Sequence, residues 1–203
     1  FEKLTGSRIV EGYALTESMM AICCTPVEGK YKVGSIGMPV ADVAVRIADV
    51  EDGSKSLPLG QGNVGEIVIS APQLMRGYWE RPEASASRFR LGSIPGERLC
   101  YSGDLFRVDS EGYFYFIGRK DDIIKSRGEK VAPKEIENVL VSLSGVVETA
   151  VIGIPDPILG EAIKAFVVKS DPALSEQDVL RHCRDHLEDF MVPQQIEFRD
   201  TLP

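Results

Sequence analysis

The chain has 203 residues, of which 43% are hydrophobic, and it carries a formal net charge of −8 at pH 7. These values are typical of a globular, water-soluble protein with one domain or two small ones. The negative charge argues against general nucleic-acid binding, which depends on clustered positive charge. No apolar run approaches the roughly 18 residues that a membrane span needs.

The cysteines indicate the redox compartment of the protein, and the first residue bears on whether the chain is a fragment. Cys23, Cys24, Cys100 and Cys183 form no CxxC pair, which favours a reduced, cytoplasmic compartment. The chain begins at Phe1 with neither an initiator methionine nor a signal peptide. We therefore expect a fragment of a longer protein.

The first half of the chain contains a candidate turn and two candidate strands. Residues 12–18 read GYALTES, where Thr16 could act as the N-cap of a short helix. Apolar residues alternate at Val43, Val45 and Ile47, which predicts a strand, and residues 66–69 predict another.

A formal GxGxxG match lies between these two strands. It is formed by Gly60, Gly62 and Gly65. A dinucleotide-binding fingerprint follows a strand and opens a helix, whereas a strand follows here. The match therefore does not indicate a dinucleotide site.

Aromatic and acidic residues follow the second strand. Tyr78 and Trp79 are expected to be packing residues. In YSGDL, residues 101–105, the glycine would permit an abrupt turn, so Asp104 is either a surface residue or a ligand. Residues 106–117 predict a hairpin with its turn at 109–112.

Residues 119–134 form a locally basic segment in an otherwise acidic chain. They hold six basic residues against three acids, which in an acidic protein favours an anionic ligand. The basic residues are Arg119, Lys120, Lys125, Arg127, Lys130 and Lys134. Residues 122–126 and 130–131 flank a turn centred on Gly128.

The last third of the chain predicts alternating helices and strands. A helix begins near Pro133, strands cover 146–154 and 162–169, and a final strand covers 194–198. A second helix runs from Ser175, with Asp178 as its capping-box partner, to about Phe190. On it His182 and His186 are either a zinc-binding pair or part of a polar face.

Four segments together resemble the adenylate-forming superfamily, which comprises acyl-CoA synthetases, peptide-synthetase adenylation domains and firefly luciferase. They are residues 12–18, 65–79, 101–105 and 118–137, in the family's order. The resemblance implies an α+β fold. Residues 1–120 would be the C-terminal part of a large nucleotide-binding domain, with a distorted β-barrel subdomain at about 34–120. Residues 121–203 would be a small mobile C-terminal lid domain with a short sheet and two or three helices.

The resemblance also implies nucleotide-binding roles for the first segment. Gly12, Tyr13 and Thr16 would bind the nucleotide, with the ring of Tyr13 against adenine and the hydroxyl of Thr16 on the α-phosphate. Glu17 would be catalytic with Thr16 and would hold Mg²⁺, which favours carboxylates and substrate phosphates. Relatives usually carry glycine where this chain has Ala14, so the pocket shape near adenine is left open.

Further roles follow for the later segments. Asp104 and Arg119 would bind the ribose or the phosphates, and Asp121 would be the hinge between the two domains. Lys125 would be a catalytic residue of the second half-reaction. The residues expected to bind coenzyme A are Arg127, Gly128 and Glu129.

The implied activity is that of an AMP-forming acyl-CoA synthetase, an acid-thiol ligase of fatty acid metabolism. It adenylates a carboxylic acid with ATP and Mg²⁺, then transfers the acyl group to coenzyme A. SRGEKVAPKEIE, residues 126–137, resembles acyl-CoA synthetases more than peptide-synthetase domains. The family's invariant lysine follows a final Leu-Pro, and this chain stops at Leu202 and Pro203 without it.

Other readings of the resemblance stay open. The N-terminal portion of the family is also missing, so we expect this fragment to be inactive alone. The alternatives are a ligase that loads a carrier protein and a non-catalytic nucleotide-binding remnant. A homodimer is possible.

Overall fold

The computed structural model describes residues 1–60 and 62–202, so Gln61 and the predicted end of the lid domain at Pro203 lie outside it. The chain divides into two compact units, Phe1–Lys120 and Asp121–Pro203. Helices and sheets both occur, and the α+β class is confirmed. In the part of the chain described, no helix is long and apolar enough to cross a membrane.

The first unit is built on one eight-stranded sheet. The strand order is β1-β2-β3-β8-β7-β5-β4, and β6 pairs with β7 beside this path. All strands of the predicted barrel subdomain belong to this sheet, whose pairing path over the described residues runs from β1 to β4 without a closing pair. The strands and helices are β1 (Gly12–Ala14), β2 (Ala21–Cys24), β3 (Ser35–Pro39), β4 (Ala44–Ala48), β5 (Val64–Ser70), β6 (Phe89–Leu91), β7 (Arg98–Val108), β8 (Phe114–Arg119), α1 (Glu2–Thr5) and α2 (Pro82–Arg88).

The predicted strands of the first half form because their apolar residues share one buried face. β4 and β5 pair antiparallel, with Val45 opposite Ile69 and Ile47 opposite Ile67. Ile47, Ile67 and Ile69 are fully buried, and Phe106 of β7 joins them in the core. The predicted strands near 43–47 and 66–69 are therefore confirmed. All four cysteines are free thiols.

The predicted turn at 101–105 is wrong, because these residues lie inside β7. Tyr101 pairs with Val68 and Leu105 pairs with Glu66, so three residues of β7 oppose one residue of β5. Gly103 has φ +75°, a left-handed conformation that favours glycine. The glycine thus produces a bulge within a strand rather than the end of one.

The hairpin predicted at 106–117 is present as β7 and β8, and Asp109 fixes its turn. One oxygen of the Asp109 carboxylate accepts hydrogen bonds from the backbone N–H groups of Glu111 at 2.9 Å and Tyr113 at 3.0 Å. The other oxygen accepts from Lys32 at 2.6 Å and from the Tyr115 hydroxyl at 3.2 Å.

The second unit has a five-stranded sheet with two helices. The strand order is β10-β9-β12-β11, and β13 runs parallel to β12. Its core is separate from that of the first unit and includes Ile136, Leu140, Ile163 and Val167. The elements are β9 (Ile124–Ser126), β10 (Glu129–Val131), α3 (Pro133–Ser142), β11 (Val146–Asp156), β12 (Gly160–Lys169), α4 (Glu176–His186) and β13 (Gln195–Arg199).

Both predicted helices of this unit are confirmed, with one boundary changed. Pro133 occupies the first turn of α3, and the Ser175 and Asp178 capping box opens α4. α4 ends at His186 rather than near Phe190, because Leu187 takes an extended conformation with φ −122° and ψ 157°.

The histidine pair on α4 is used within the fold. The His182 Nε2 atom lies 3.1 Å from the Val139 carbonyl oxygen and 3.0 Å from the Ser142 hydroxyl, both on α3. The His186 ring lies 4.3 Å from the His182 ring. Among the described residues, no group of three or more His, Cys, Asp or Glu side chains could hold a metal ion. The contacts of His182 with α3 favour the polar-face alternative for this pair.

Candidate functional site

Three of the predicted nucleotide-binding residues contact one another in the first unit. Asp104 is 8% exposed, and its two carboxylate oxygens have different partners. The Tyr13 hydroxyl donates to Oδ2 at 2.5 Å, and the Arg119 guanidinium donates to Oδ1 at 3.0 Å. Asp104 and Arg119 are register partners on β7 and β8. Residues 91 positions apart in the chain are thus brought together by the sheet.

The bulge in β7 aims the Asp104 carboxylate at these partners. The Ser102 hydroxyl accepts the Asp104 N–H at 3.0 Å and donates to the Ile67 carbonyl at 3.0 Å, which bridges the irregular stretch. The Glu66 carboxylate accepts the Gly103 N–H at 2.9 Å and pairs with Lys120 at 3.0 Å. The backbone groups that the bulge displaces from the ladder therefore have side-chain partners.

The electrostatics of this cluster keep Tyr13 neutral. Burial, and then the hydrogen bond to Asp104, raise the pKa of the Tyr13 phenol far above its usual value. The edge of its ring packs against Phe106 with centroids 5.0 Å apart. An ionised carboxylate has about four lone-pair sites, so Asp104 can accept further hydrogen bonds from ligand hydroxyls. The Arg119 side chain is 46% exposed and offers donors to the solvent side.

Glu17 is held by two residues that the sequence did not single out as ligands. The Tyr78 hydroxyl donates to Oε1, and the Arg88 Nε atom lies 4.0 Å from the same oxygen. Arg88 also donates to the Tyr101 carbonyl of β7 at 2.9 Å. Burial, followed by the contact with Glu17, raises the pKa of the Tyr78 phenol. The carboxylate is therefore fixed through one of its two oxygens.

The geometry of Glu17 fits a shared Mg²⁺ ion rather than a complete protein cage. Within the described residues, no hydrogen bond or ion pair involves its second oxygen, Oε2. Mg²⁺ is often bound by one or two carboxylates together with substrate phosphates and water. One oriented carboxylate with an open oxygen meets that need, so Glu17 could hold the ion.

Gly12, Ala14 and Thr16 of the first segment are exposed. Thr16 is exposed in a 3₁₀ turn, Thr16–Ser18, whose N-cap is Leu15. The N-cap interpretation of Thr16 is therefore wrong, because the turn begins at Thr16 itself. A Cβ at Gly12 would lie 3.1 Å from the Cys23 carbonyl oxygen, so glycine eases the pairing of β1 with β2. Ala14 is exposed at the end of β1.

The packing prediction is correct for Tyr78 and wrong for Trp79. The Tyr78 ring lies 6.3 Å from the Phe89 ring, whereas Trp79 is 87% exposed. Only one of the two neighbouring side chains can face the core at this turn. The contacts of Tyr78 and Arg88 with Glu17 depend on how distant segments meet, so no local pattern indicates them.

The predicted coenzyme A residues lie at the tip of one hairpin in the second unit. Arg127 has φ 56° and Gly128 has φ 83°, and together they connect β9 to β10 as a two-residue turn. Positive φ at both positions is the signature of a type I′ turn. Arg127, Gly128 and Glu129 are all exposed.

Lys125 lies at the centre of β9 with its side chain in solvent. Ile124 and Ser126 on either side of it are buried, so alternation along the strand turns Lys125 outward. Lys130 is its register partner on β10. The hairpin therefore gathers several of the basic residues of the 119–134 segment on an exposed face. Asp121, the predicted hinge, is exposed in a 3₁₀ turn, Lys120–Asp122, where the two units meet in sequence.

Two protein-family models match this chain, one in its first part and one in its last part. The model of the AMP-binding enzyme family matches residues 1–79, and the model of the AMP-binding enzyme C-terminal domain matches residues 135–203. A long-chain-fatty-acid–CoA ligase of Salmonella typhimurium is 39% identical over 201 residues, which are 99% of this chain and 34% of that protein. The chain thus spans about a third of the length of the curated relatives it matches.

Solved structures agree with the family models. ATP-bound MatB from Rhodopseudomonas palustris is 36% identical, with a TM-score of 0.88 over 98% of this chain and 38% of that one. The o-succinylbenzoate coenzyme A synthetase MenE from Bacillus subtilis, in complex with ATP and magnesium ion, is 28% identical, with a TM-score of 0.84 over 100% of this chain and 40% of that one. The chain therefore belongs to the AMP-binding, adenylate-forming enzyme family and is similar to about a third of the length of long-chain-fatty-acid–CoA ligases.

Proposed function

We propose that the full-length protein is an AMP-forming acyl-CoA ligase that activates a fatty acid or a related carboxylic acid. The observation that carries the proposal is the contact of Tyr13, Arg119 and Asp104, with the oriented Glu17 carboxylate as a second feature of the same unit. The names of the matched relatives, which are long-chain-fatty-acid–CoA ligases, support the substrate class.

In the first half-reaction a carboxylate oxygen of the acid attacks the α-phosphorus of ATP, and the bond to pyrophosphate breaks. Both reactants are anions, so the step needs cations and fixed positioning. Asp104 would accept hydrogen bonds from the ribose hydroxyls, Arg119 would donate to ribose or phosphate oxygens, and Thr16 would donate to the α-phosphate. Glu17 would hold Mg²⁺, which supplies positive charge to the phosphates when bound.

In the second half-reaction the sulfur of coenzyme A attacks the acyl carbon, the bond between that carbon and the AMP oxygen breaks, AMP leaves with the electron pair as its phosphate anion, and the thiol proton passes to water. Lys125 would act at this step, since its side chain is exposed on a strand with a fixed backbone. The basic tip formed by Arg127 and its neighbours would attract the phosphates of coenzyme A. Phe1–Lys120 would be the end of the large nucleotide-binding domain and Asp121–Pro203 the mobile lid domain, with Asp121 as the hinge.

The test is a thioester assay on the full-length protein. Palmitate, MgATP and coenzyme A should yield palmitoyl-CoA, AMP and pyrophosphate in equal amounts, detected by chromatography. Acyl transfer to a carrier protein in place of coenzyme A would favour the carrier-loading alternative. Failure to form AMP with any member of a panel of carboxylic acids would contradict the proposal.

A further inference from the structure

The backbone N–H of Lys125 is bound by a side chain rather than by a backbone carbonyl of β12. β9 has three residues, and its ladder with β12 consists of one pair, Ser126 with Gly160. The residue before Ser126 is Lys125, and its N–H donates to the Glu161 Oε2 atom at 2.6 Å. The carboxylate of Glu161 thus takes the place of a missing backbone acceptor at this point of the sheet. A hydrogen bond to an ionised acceptor is roughly twice as strong as a neutral one.

The structure leaves space for this carboxylate on the adjoining strand. A Cβ added to Gly153 of β11 would lie 2.9 Å from the Glu161 Oε1 atom and 3.1 Å from its Cδ atom. Gly153 pairs with Ile163, which is two positions beyond Glu161 on β12. Its backbone needs no left-handed conformation, so the lack of a side chain serves the neighbouring carboxylate rather than a turn. An alanine at this position would push the carboxylate away from Lys125, and its Cβ would also lie 3.1 Å from the Ile124 Cγ2 atom of β9.

A second bond fixes the other side of Ser126. The Arg127 N–H donates to the Leu159 carbonyl at 2.9 Å, in the turn between β11 and β12. That turn is itself fixed by Asp156, whose carboxylate accepts the N–H groups of Ile158 at 2.9 Å and Leu159 at 2.8 Å. These hydrogen bonds lower the pKa of Asp156. Of these two hydrogen bonds, only the one that Glu161 accepts acts directly on Lys125.

We propose that Glu161 is a positioning residue of the thioester-forming step, and that it acts by holding the backbone of Lys125 and the basic hairpin tip in place. This inference rests on the proposed function and assigns to it a residue outside the predicted site. Glu161 does not touch the reacting atoms. Its loss would remove the acceptor of the Lys125 N–H, while the nucleotide-binding cluster of the first unit would keep all of its contacts.

The experiment measures the two half-reactions of the full-length protein separately. Pyrophosphate exchange with palmitate and MgATP reports adenylation, and single-turnover reaction of the preformed palmitoyl adenylate with coenzyme A reports thioester formation. Glu161→Ala and Gly153→Ala should leave exchange within about twofold and slow thioester formation by about tenfold to hundredfold, the range that small misplacements cause. Glu161→Gln keeps an oxygen acceptor and should recover most of the rate.

Glu137→Ala is the matched control. Glu137 lies on α3, and its carboxylate also accepts a strand N–H, from Val151 of β11 at 3.1 Å, and pairs with the exposed Lys134 at 3.4 Å. Both half-reactions should stay within about twofold of wild type in this variant, because it removes the same kind of contact from a different strand. An equal slowing of thioester formation by Glu137→Ala would show that the effect is general loss of packing.

Hydrogen exchange tests the same contact without relying on activity. The amide hydrogen of Lys125 should exchange faster in Glu161→Ala and Gly153→Ala than in wild type, and its rate should be unchanged in Glu137→Ala. An unchanged amide exchange rate in both Glu161→Ala and Gly153→Ala, or an equal loss of both half-reactions, would overturn the inference. A wild-type protein that forms no adenylate would instead contradict the proposed function, while the amide hydrogen exchange would still decide whether Glu161 holds β9.

Discussion

Asp104 is the residue on which the proposed nucleotide site depends most. Both of its oxygens are engaged in the free protein, yet each keeps a lone pair for a ligand hydroxyl. We predict that Asp104→Ala weakens ATP binding to the full-length protein at least about tenfold, because charged hydrogen bonds contribute about 1.5 to 3 kcal/mol each. Calorimetric titration with ATP measures the change.

A suitable control is Asp52→Ala in an exposed loop, where the carboxylate accepts hydrogen bonds from Ser54. It should leave ATP affinity within about twofold. Unchanged affinity in Asp104→Ala, with circular dichroism like that of wild type, would remove Asp104 from the site.

Substitution of Lys125 should affect only one of the two half-reactions. Its side chain is exposed on β9, and its charge is proposed to act only on the second step. We predict that Lys125→Ala leaves pyrophosphate exchange within about twofold but slows thioester formation by at least about tenfold, since a positioned charged group contributes about that much or more. Lys55→Ala, an exposed lysine outside the 119–134 segment, is the control and should leave both half-reactions within about twofold. An equal fall in both half-reactions would contradict the role of Lys125.

The sequence predicts part of this site and not the rest, for a physical reason. Tyr13, Asp104 and Arg119 follow from motif positions, and the structure brings them into contact. Tyr78 as a partner of Glu17 does not follow, since that contact joins residues 61 positions apart through tertiary packing. Short motifs report the chemistry of a residue, whereas its partners depend on the whole sheet.

Among the elements, the β7–β8 hairpin depends on the charge of Asp109. Burial alone would raise the pKa of this carboxyl, but Lys32 and the backbone N–H groups of Tyr113 and Glu111 lower it to about 2. A folded pKa below the unfolded one gives stability that is present above about pH 4 and is lost as pH falls through about 2.

We predict that Asp109→Asn destabilises the first unit by about 1 to 3 kcal/mol at pH 7, because charged hydrogen bonds weaken. The difference from wild type should shrink as the pH falls from about 4 to about 2. Urea unfolding across this range measures it, and Glu148→Gln, exposed on β11, should change stability by less than about 0.5 kcal/mol throughout. A difference that does not depend on pH would show that Asp109 acts by shape alone.

In the turn of the β9–β10 hairpin, one substitution can remove the charge of Arg127 and keep the backbone conformation. Arg127 and Gly128 both have positive φ, and Asn-Gly is a favoured pair for such a type I′ turn. We predict that Arg127→Asn keeps the melting temperature within about 2 °C, because asparagine tolerates this conformation. It should raise the KM for coenzyme A severalfold in the full-length protein.

Added salt supplies the control for that prediction. Because exposed charges are screened, the difference in KM between Arg127→Asn and wild type should diminish at about 1 M salt. A lower melting temperature with an unchanged KM would mean that Arg127 serves the turn and not the ligand.

Local signals predict the elements of this chain well where the backbone is regular. Pro133 and the Ser175–Asp178 capping box fix the beginnings of α3 and α4. The sequence does not predict the bulge at Gly103, because a glycine with positive φ suits both a turn and a bulge, and only the pairing with β5 distinguishes them. It does not predict the early end of α4 either, because the apolar pattern continues past His186 into a 3₁₀ turn.

At the scale of the whole molecule, the order of strands lies beyond what the sequence pattern predicts. β3 pairs with β8, which follows it by some 75 residues of chain, and β13 runs parallel beside β12. Such pairings depend on long-range closure and not on local periodicity. The chain divides at Lys120 and Asp121, and the movement of one unit about Asp121 stays a prediction.

The two units have separate hydrophobic cores, so their stabilities should respond to different substitutions. Leu140 of α3 packs with Ile163 of β12, and Ile67 of β5 packs with Phe106 of β7; Leu140 and Ile67 are fully buried. Truncation of a buried Leu or Ile to Ala costs about 2 to 5 kcal/mol. We predict that Leu140→Ala reduces amide protection in β12 by that amount and leaves β5 unchanged, while Ile67→Ala does the reverse.

Hydrogen exchange with mass spectrometry at increasing urea measures both strands in one sample. The reciprocal pair of variants is its own control, because each strand serves as the unperturbed reference for the other. Local opening energies differ between cooperative units, so two units with their own cores should give two separate exchange transitions. Equal loss of protection in β5 and β12 for either variant would instead show that the two cores unfold together.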